Sequence, residues 1–261
     1  MAHVLITGAS SGIGAATALK LAHRGHTVYA GVEHGTDAAP PGTTHLVLDV
    51  SDDASIASAF ERIERLDAVV NNAGIGLPGP LEALPREDLR RQLEVNVLGQ
   101  VAVTQAALPL IRAANGRIVF VGSIGGILAS QFAGAYHASK FAIEAIADVW
   151  RQELDQVGIP VILIEPSTIS TNIWERAIAY LDDLDVPEVY RERVEAFRES
   201  LQTADEHGKD PDTVAEVIAD AITTDKPDTR YVVGADGKIA TALRPLIPDR
   251  IFDKLTERAT S

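Results

Sequence analysis

Short apolar runs, many of them β-branched, alternate with longer stretches of helical periodicity along most of this 261-residue chain. Val4-Leu5-Ile6 is the first run, and Gly14 to Arg24 follows with Ala15, Ala18, Leu19 and Ala22 at helical spacing. Further strands are predicted over Thr27–Ala30, His45–Leu48, Asp67–Asn71, Arg117–Val121, Val161–Ile164 and Tyr231–Val233. Between them the spacing predicts helices over Ala54–Glu64, Glu87–Arg112 (a pair, or one bent helix), Ala135–Val157 and Pro211–Thr223, the last with Asp210 as N-cap. Val161–Ile164 is almost wholly apolar, as a strand covered on both faces must be. Alternation of this kind predicts an α/β fold, a doubly wound parallel sheet with helices on both faces, connected by right-handed crossovers. The expected strand order is 3-2-1-4-5-6-7, in a single domain spanning residues 1–261. Only Tyr180 to Gly208 lacks any sheet signal, and it reads as an insertion, because the fold resumes after it.

Ligands of such sheets lie beyond the carboxyl ends of the strands. The segment Thr7-Gly8-Ala9-Ser10-Ser11-Gly12-Ile13-Gly14 sits there, after the first strand and at the opening of the first helix. Gly8 permits a sharp turn, Gly12 lets the backbone approach a pyrophosphate, and Gly14 permits close helix-strand packing. The helix N-terminus offers free N–H groups and a partial positive charge, and Ser10 and Ser11 can add hydroxyl donors. Gly8, Ser10, Ser11, Gly12, Ile13 and Gly14 are therefore the candidate phosphate-binding residues of a Rossmann-type, dinucleotide-binding fold.

A net charge of -14 argues against nucleic acid as a partner. The absence of cysteine excludes disulfides and thiol catalysis, and the seven scattered histidines lack metal-ligand spacing, so no metal is expected. No apolar run reaches about 18 residues and the N-terminus lacks a signal-peptide pattern. The expectation is a soluble cytoplasmic protein without a membrane span.

A second constellation reads S-x12-Y-x3-K, at Ser123, Tyr136 and Lys140. A Tyr and a Lys four apart on a helix share one face, which brings an ammonium toward a phenol. Ionising an ordinary Tyr near neutrality requires roughly 4 kcal/mol. One positive charge about 4 Å away, at an effective dielectric near 20, supplies about that much. The expected consequence is a phenol of lowered pKa that exchanges protons with an alcohol or carbonyl.

With both constellations in place, the chain resembles the short-chain dehydrogenase/reductase family, and its tail, Ala242 to Pro248, resembles the retinol, steroid and hydroxybutyrate dehydrogenase branch. The resemblance rests on T-G-x3-G-x-G at Thr7–Gly14, Asn71-Asn72-Ala73-Gly74, Asn96, and the Ser123, Tyr136, Lys140 set, in order. It implies an NAD(P)-dependent oxidoreductase that moves hydride between a nicotinamide and a carbinol or carbonyl carbon. Tyr136 would be the general acid/base. Lys140 would lower its pKa and bond the nicotinamide ribose, Ser123 would hold the substrate oxygen, and Asn96 would hold a relay water, or bond backbone as a helix Asn, as the family's Asn also does. Asp49 and Val50 would meet the adenine, while Asn72, Ala73 and Gly74 would line the adenosine ribose. Pro166, Ile169 and Thr171 would meet the nicotinamide carboxamide. The family often has Pro-Gly where this chain has Pro166-Ser167, which changes the local backbone freedom.

The end of the second strand bears on the choice of cofactor. It reads Ala30-Gly31-Val32-Glu33-His34, with Glu33 where relatives that bind NADP place an Arg. A carboxylate facing a phosphate is unfavourable, so the reading favours NAD over NADP. In the family, the segment from about 171 to 209 forms a substrate lid. Ile173 and Trp174, with Ala177 and Ile178, fall on one helical stripe that either lines an apolar pocket or packs on the sheet. The expected substrate is a hydrophobic alcohol or ketone, with Ile124 and Phe132 on the catalytic side. The resemblance also implies a homodimer or homotetramer paired through Glu94–Ala113 and Ala135–Val157. The alternative function is a catalytically silent dinucleotide-binding redox sensor; such relatives usually lose the Tyr or the Lys, and this chain keeps both.

Overall fold

A computed structural model describes residues 1–259 of the chain. The strands are β1 (His3–Thr7), β2 (Thr27–Val32), β3 (Thr44–Val47), β4 (Ala68–Asn71), β5 (Arg117–Val121), β6 (Val161–Pro166) and β7 (Arg230–Val233). They form one parallel sheet of order β3-β2-β1-β4-β5-β6-β7. The helices are α1 (Gly12–His23), α2 (Asp53–Phe60), α3 (Arg86–Leu93), α4 (Gln100–Ala114), α5 (Gly134–Asp155), α6 (Ile173–Asp183), α7 (Arg191–His207), α8 (Pro211–Thr223), α9 (Ala235–Leu243) and α10 (Asp249–Ala259).

Side-chain alternation along the strands divides the core into two layers. Val4 and Ile6 of β1 point to one face, where they join Val70, Val119, Ile162 and Ile164 beneath α1 and α8. Leu5 points to the other face and joins Val69, Ile118, Phe120 and Leu163 beneath α2, α4 and α5. Both faces are covered, so the strands carry apolar residues at nearly every position. Lys20 of α1 and Arg24, its C-cap, bridge to Asp212, Glu216 and Asp220 of α8 across the surface of the first layer.

The stretch read as a pair or one bent helix is continuous, with a π-helical segment, Glu94–Gly99, between α3 and α4. By length and apolar composition alone, residues 86–114 could cross a membrane. Their buried polar side chains are instead spent within the protein, at Gln92, Asn96, Gln100 and Thr104. The insertion without a sheet signal folds as α6 and α7 around a small core of its own: Phe132, Ala177, Leu181, Val194, Phe197 and Leu201. Tyr180 Oη donates to Asp88 at 2.7 Å, which ties this unit to α3.

Candidate functional site

The carboxyl ends of β1, β4, β5 and β6 converge on one edge of the sheet. The turn after β1 has Gly8 at φ +65° and Gly12 at φ +53°, conformations that strain residues bearing a Cβ. A Cβ on Gly14 would overlap the Gly8 carbonyl oxygen, and one on Gly12 would come within 3.1 Å of Thr171. Ser11, the N-cap of α1, makes no side-chain capping bond, so the first N–H groups of the helix remain open toward the crevice. Ser10 is exposed beside them, and Ile13 and Gly14 lie in the first turn of α1. This cradle of glycines and free donors fits a dinucleotide's pyrophosphate, with Gly8 to Gly14 placed to hold it.

Thr7 fastens the turn to the end of β4. Its hydroxyl accepts from the backbone N–H groups of Asn72 (3.0 Å) and Ala73 (2.9 Å). Asn72 Nδ2 returns two bonds, to the carbonyls of Thr7 (2.9 Å) and Gly8 (3.2 Å). Gly74 lies against the Asn96 carboxamide, where a Cβ would stand 3.3 Å from Oδ1. Asn96 itself is fully buried. Its Oδ1 accepts from Ile75 N at 2.8 Å, and its Nδ2 donates to Ile75 O and Ser139 Oγ, both at 3.0 Å. Both amide hydrogens are thereby used, so the side chain organises the loop after β4.

Ser123 follows β5, and its Oγ accepts from Gly125 N at 3.0 Å while bonding the Tyr136 hydroxyl. A Cβ at Gly125 would reach within 3.2 Å of both Ser123 Oγ and the Tyr136 ring, so the turn admits only glycine there without displacement. Lys140, one turn beyond Tyr136 on α5, is buried. Its Nζ lies 5.7 Å from the Tyr136 ring centroid and donates to the Val121 carbonyl at 2.9 Å. The structure thus brings Ser123, Tyr136 and Lys140 together. It corrects the expected direction of the phenol's acidity. Burial pushes Tyr136 up, with the Ser123 bond pulling the other way, and the ammonium does not offset the desolvation. Burial brings Lys140 down to about 8, with Glu144 raising it.

At the end of β6, Pro166 is buried, and Ile169 is buried and bridged to Lys209. Thr171 stands over Gly12. The departure at Ser167 is compensated across the loop. Gly234, at φ +119°, is the residue whose Cβ would overlap Ser167 Oγ, and the hydroxyl bonds Asp236 (3.3 Å) and Lys209 (3.2 Å). The two candidate substrate residues part company. Ile173 lies near Gly76, which also neighbours Tyr136. Trp174 turns away: its indole N–H donates to Ile169 O at 2.6 Å, and its ring packs with Ile178 on the α6–α7 core. Phe132 is likewise buried in that core.

Glu33 and His34 are both exposed beyond β2, 3.8 Å apart. Asp49 is half-buried and accepts from Ser51 N and Oγ, while Val50 is buried with its backbone against Gly99.

Sequence reasoning missed three supports of the site. Gln92 bonds both Ile75 O (2.7 Å) and Leu77 N (2.9 Å), and Gln100 bonds Ala73 O (3.2 Å). The available signal was three amides four residues apart, Gln92, Asn96 and Gln100, which place three polar side chains on one helical stripe. His137 braces the Ser123 loop: its Nδ1 meets Gly125 O at 2.8 Å and its Nε2 accepts from Ser130 N at 3.1 Å, which fixes the Nδ1–H tautomer.

Comparison with known proteins supports the assignment that this geometry suggests. The short chain dehydrogenase family matches residues 2–180. A 3-amino-tetrahydro-pyrrolizinone reductase of Xenorhabdus hominickii is 39% identical over 250 residues, covering 90% of this chain and 87% of its own. An NADPH-dependent 3-dehydrocapnine reductase of Ornithobacterium rhinotracheale is 35% identical over 275 residues, covering 98% and 96%. Human 17-beta-hydroxysteroid dehydrogenase type 1 is 37% identical over 250 residues, covering 87% and 76%. An ordered sheet edge, a glycine cradle and a Ser-Tyr-Lys cluster in a chain so aligned leave one conclusion: this protein belongs to the short-chain dehydrogenase family, as an oxidoreductase.

Proposed function

We propose that the chain catalyses reversible hydride transfer between a nicotinamide dinucleotide and the carbinol or carbonyl carbon of a hydrophobic alcohol or ketone. The observation that carries this reading is the convergence of Ser123, Tyr136 and Lys140 beside the glycine turn. The nicotinamide, when bound, supplies or takes up the hydride. Ser123 Oγ and Tyr136 Oη, already bonded to each other, share the substrate oxygen. In reduction the protonated phenol gives its proton to that oxygen; in oxidation the phenolate takes the proton of the alcohol and returns to the phenol. The raised phenol favours the protonated, donating form at neutral pH. Lys140 provides the charge that makes a transient phenolate tolerable in a buried site. Ile173, near Gly76 and Tyr136, supplies an apolar wall.

The cofactor reading is NAD. Glu33 stands exposed at the end of β2 with no Arg or Lys in the adjoining segment, so a 2′-phosphate there would meet a carboxylate. The 3-dehydrocapnine reductase is named for NADPH, which makes the comparison a direct one. Fluorescence titration with NADH and NADPH tests it: tighter NADPH binding overturns the NAD assignment. Exposed Leu98 beside α4 and Phe141 and Val149 on α5 suit pairing of these helices in a homodimer or homotetramer.

The chemistry is tested by turnover of a panel of secondary alcohols and ketones with each cofactor, for the wild type and Tyr136→Phe. The variant is expected to lose about 10²–10⁴ in kcat while binding cofactor almost as before. Turnover by Tyr136→Phe at the wild-type rate would refute the assignment of Tyr136.

A further inference from the structure

Behind Lys140, away from the substrate crevice, lies a buried cluster that the proposed reaction does not use. Glu144 is on α5, one turn beyond Lys140, and its side chain is 13% exposed. Glu165 of β6 is 1% exposed. The two carboxyl groups are within hydrogen-bonding reach of each other. One guanidinium serves both: Arg230 of β7 donates to Glu144 Oε2 (3.0 Å), Glu165 Oε1 (3.4 Å) and Asp148 Oδ1 (3.2 Å). Asp148 also receives Arg151 from its exposed side. Glu144 Oε1 is buried and accepts from no donor among the described residues. A buried carboxylate oxygen with no donor, set against a second carboxylate, is unfavourable unless one of the pair carries a proton.

The same side chain is the floor of the catalytic loop. A Cβ on Gly126 would stand 2.9 Å from Glu144 Cγ and 3.1 Å from Oε1, and one on Gly122 would stand 3.5 Å from Oε1. Gly122 and Gly126 flank Ser123 and its turn. We propose that Glu144 and Glu165 share a single proton, with Glu144 as donor, and that this bond makes Glu144 a positioning residue for Lys140 and the Ser123 turn.

The positioning half of this inference rests on the reading of Ser123, Tyr136 and Lys140 as the reacting set. Burial, followed by the neighbouring Glu165 charge, pushes the Glu144 carboxyl up; Arg230 opposes them. Loss of the shared proton places a second negative charge beneath the Ser123 turn. The carboxylates then repel and separate, and the added charge opposes phenolate formation at Tyr136. Lys140, Asp148, Arg230 and Glu165 are the charged groups that face Glu144, from α5, β6 and β7.

The experiment is carboxyl NMR titration of the full chain labelled with 13C-glutamate, paired with the pH dependence of kcat/KM. One glutamate signal is expected to titrate well above the ordinary carboxyl range and to vanish in both Glu144→Gln and Glu165→Gln. If every glutamate titrates in the ordinary range, or the high signal survives in both variants, the shared proton is refuted. Glu144→Ala, which removes the donor, is expected to lower kcat on the order of tenfold or more. Glu144→Gln, a permanently neutral donor, is expected to recover most of that at pH 7 and to shift the alkaline limb of kcat/KM. Equal loss in both variants with an unmoved limb refutes the positioning role. The NMR arm requires no turnover, so a protein with the high titration and no activity refutes the proposed function instead.

Discussion

Replacing Asn96 by Ala separates structural from chemical roles at the residue expected to hold a relay water. The wild-type carboxamide is fully buried and makes three bonds, to Ile75 N, Ile75 O and Ser139 Oγ. After truncation Ile75 O keeps its bond from Gln92, and Ser139 Oγ still donates to Tyr136 O at 2.7 Å. Ile75 N–H loses its acceptor. An orphaned buried donor costs about 1–3 kcal/mol, and each of the other two bonds contributes about 1 kcal/mol net. The expected destabilisation is therefore about 3–5 kcal/mol, equivalent to a fall in Tm of about 6–20 °C for a domain of this size. The assay is thermal unfolding by circular dichroism, with urea titration to check that the slope is unchanged. A Tm within about 2 °C of wild type would refute the claim that this side chain organises the loop after β4.

Further perturbations address the surrounding supports. Burial lowers the His137 pKa, with the Gly125 bond opposing it, so the unfolded chain binds more protons than the folded one at mildly acidic pH. The neutral-form stabilisation is complete above the unfolded value of about 6.5 and declines as pH falls below it. Urea unfolding from pH 7 to 5 should accordingly show a shallower decline in His137→Gln than in wild type; equal slopes refute the assignment. Gly234→Ala forces a Cβ onto Ser167 Oγ and onto a backbone at φ +119°, with about 1–3 kcal/mol from the backbone alone. Ser167→Gly in the same chain should recover the steric part only, and a double-mutant cycle that shows full additivity would rule out the contact.

The sheet was legible because strands covered on both faces are apolar at nearly every position, as Val161–Ile164 is, and because Gly25, left-handed just past α1, and Pro211, at the start of α8, mark helix boundaries. The glycine turn and the Ser123, Tyr136, Lys140 set were legible as spacing. Orientation within an apolar stripe was not. Trp174 and Ile173 are adjacent in a helix, and only tertiary contact decides that one joins the α6–α7 core while the other nears Tyr136. The acidity of Tyr136 was misread for a related reason: spacing reveals a neighbouring charge and hides the desolvation that outweighs it. Helices α9 and α10 follow β7, and the tail between them, Ala242 to Pro248, carries exposed Leu243 and Leu246.

The π-helical segment at Glu94–Gly99 works as a phase adjuster between α3 and α4. Each residue added to or removed from a helix rotates the remainder of the rod by about 100°. Shortening the segment by one residue would produce a more regular helix and swing Gln100 and Thr104 off the strand ends they now brace. Local irregularity there is the condition for alignment downstream, so this stretch should tolerate side-chain exchange far better than any change in length.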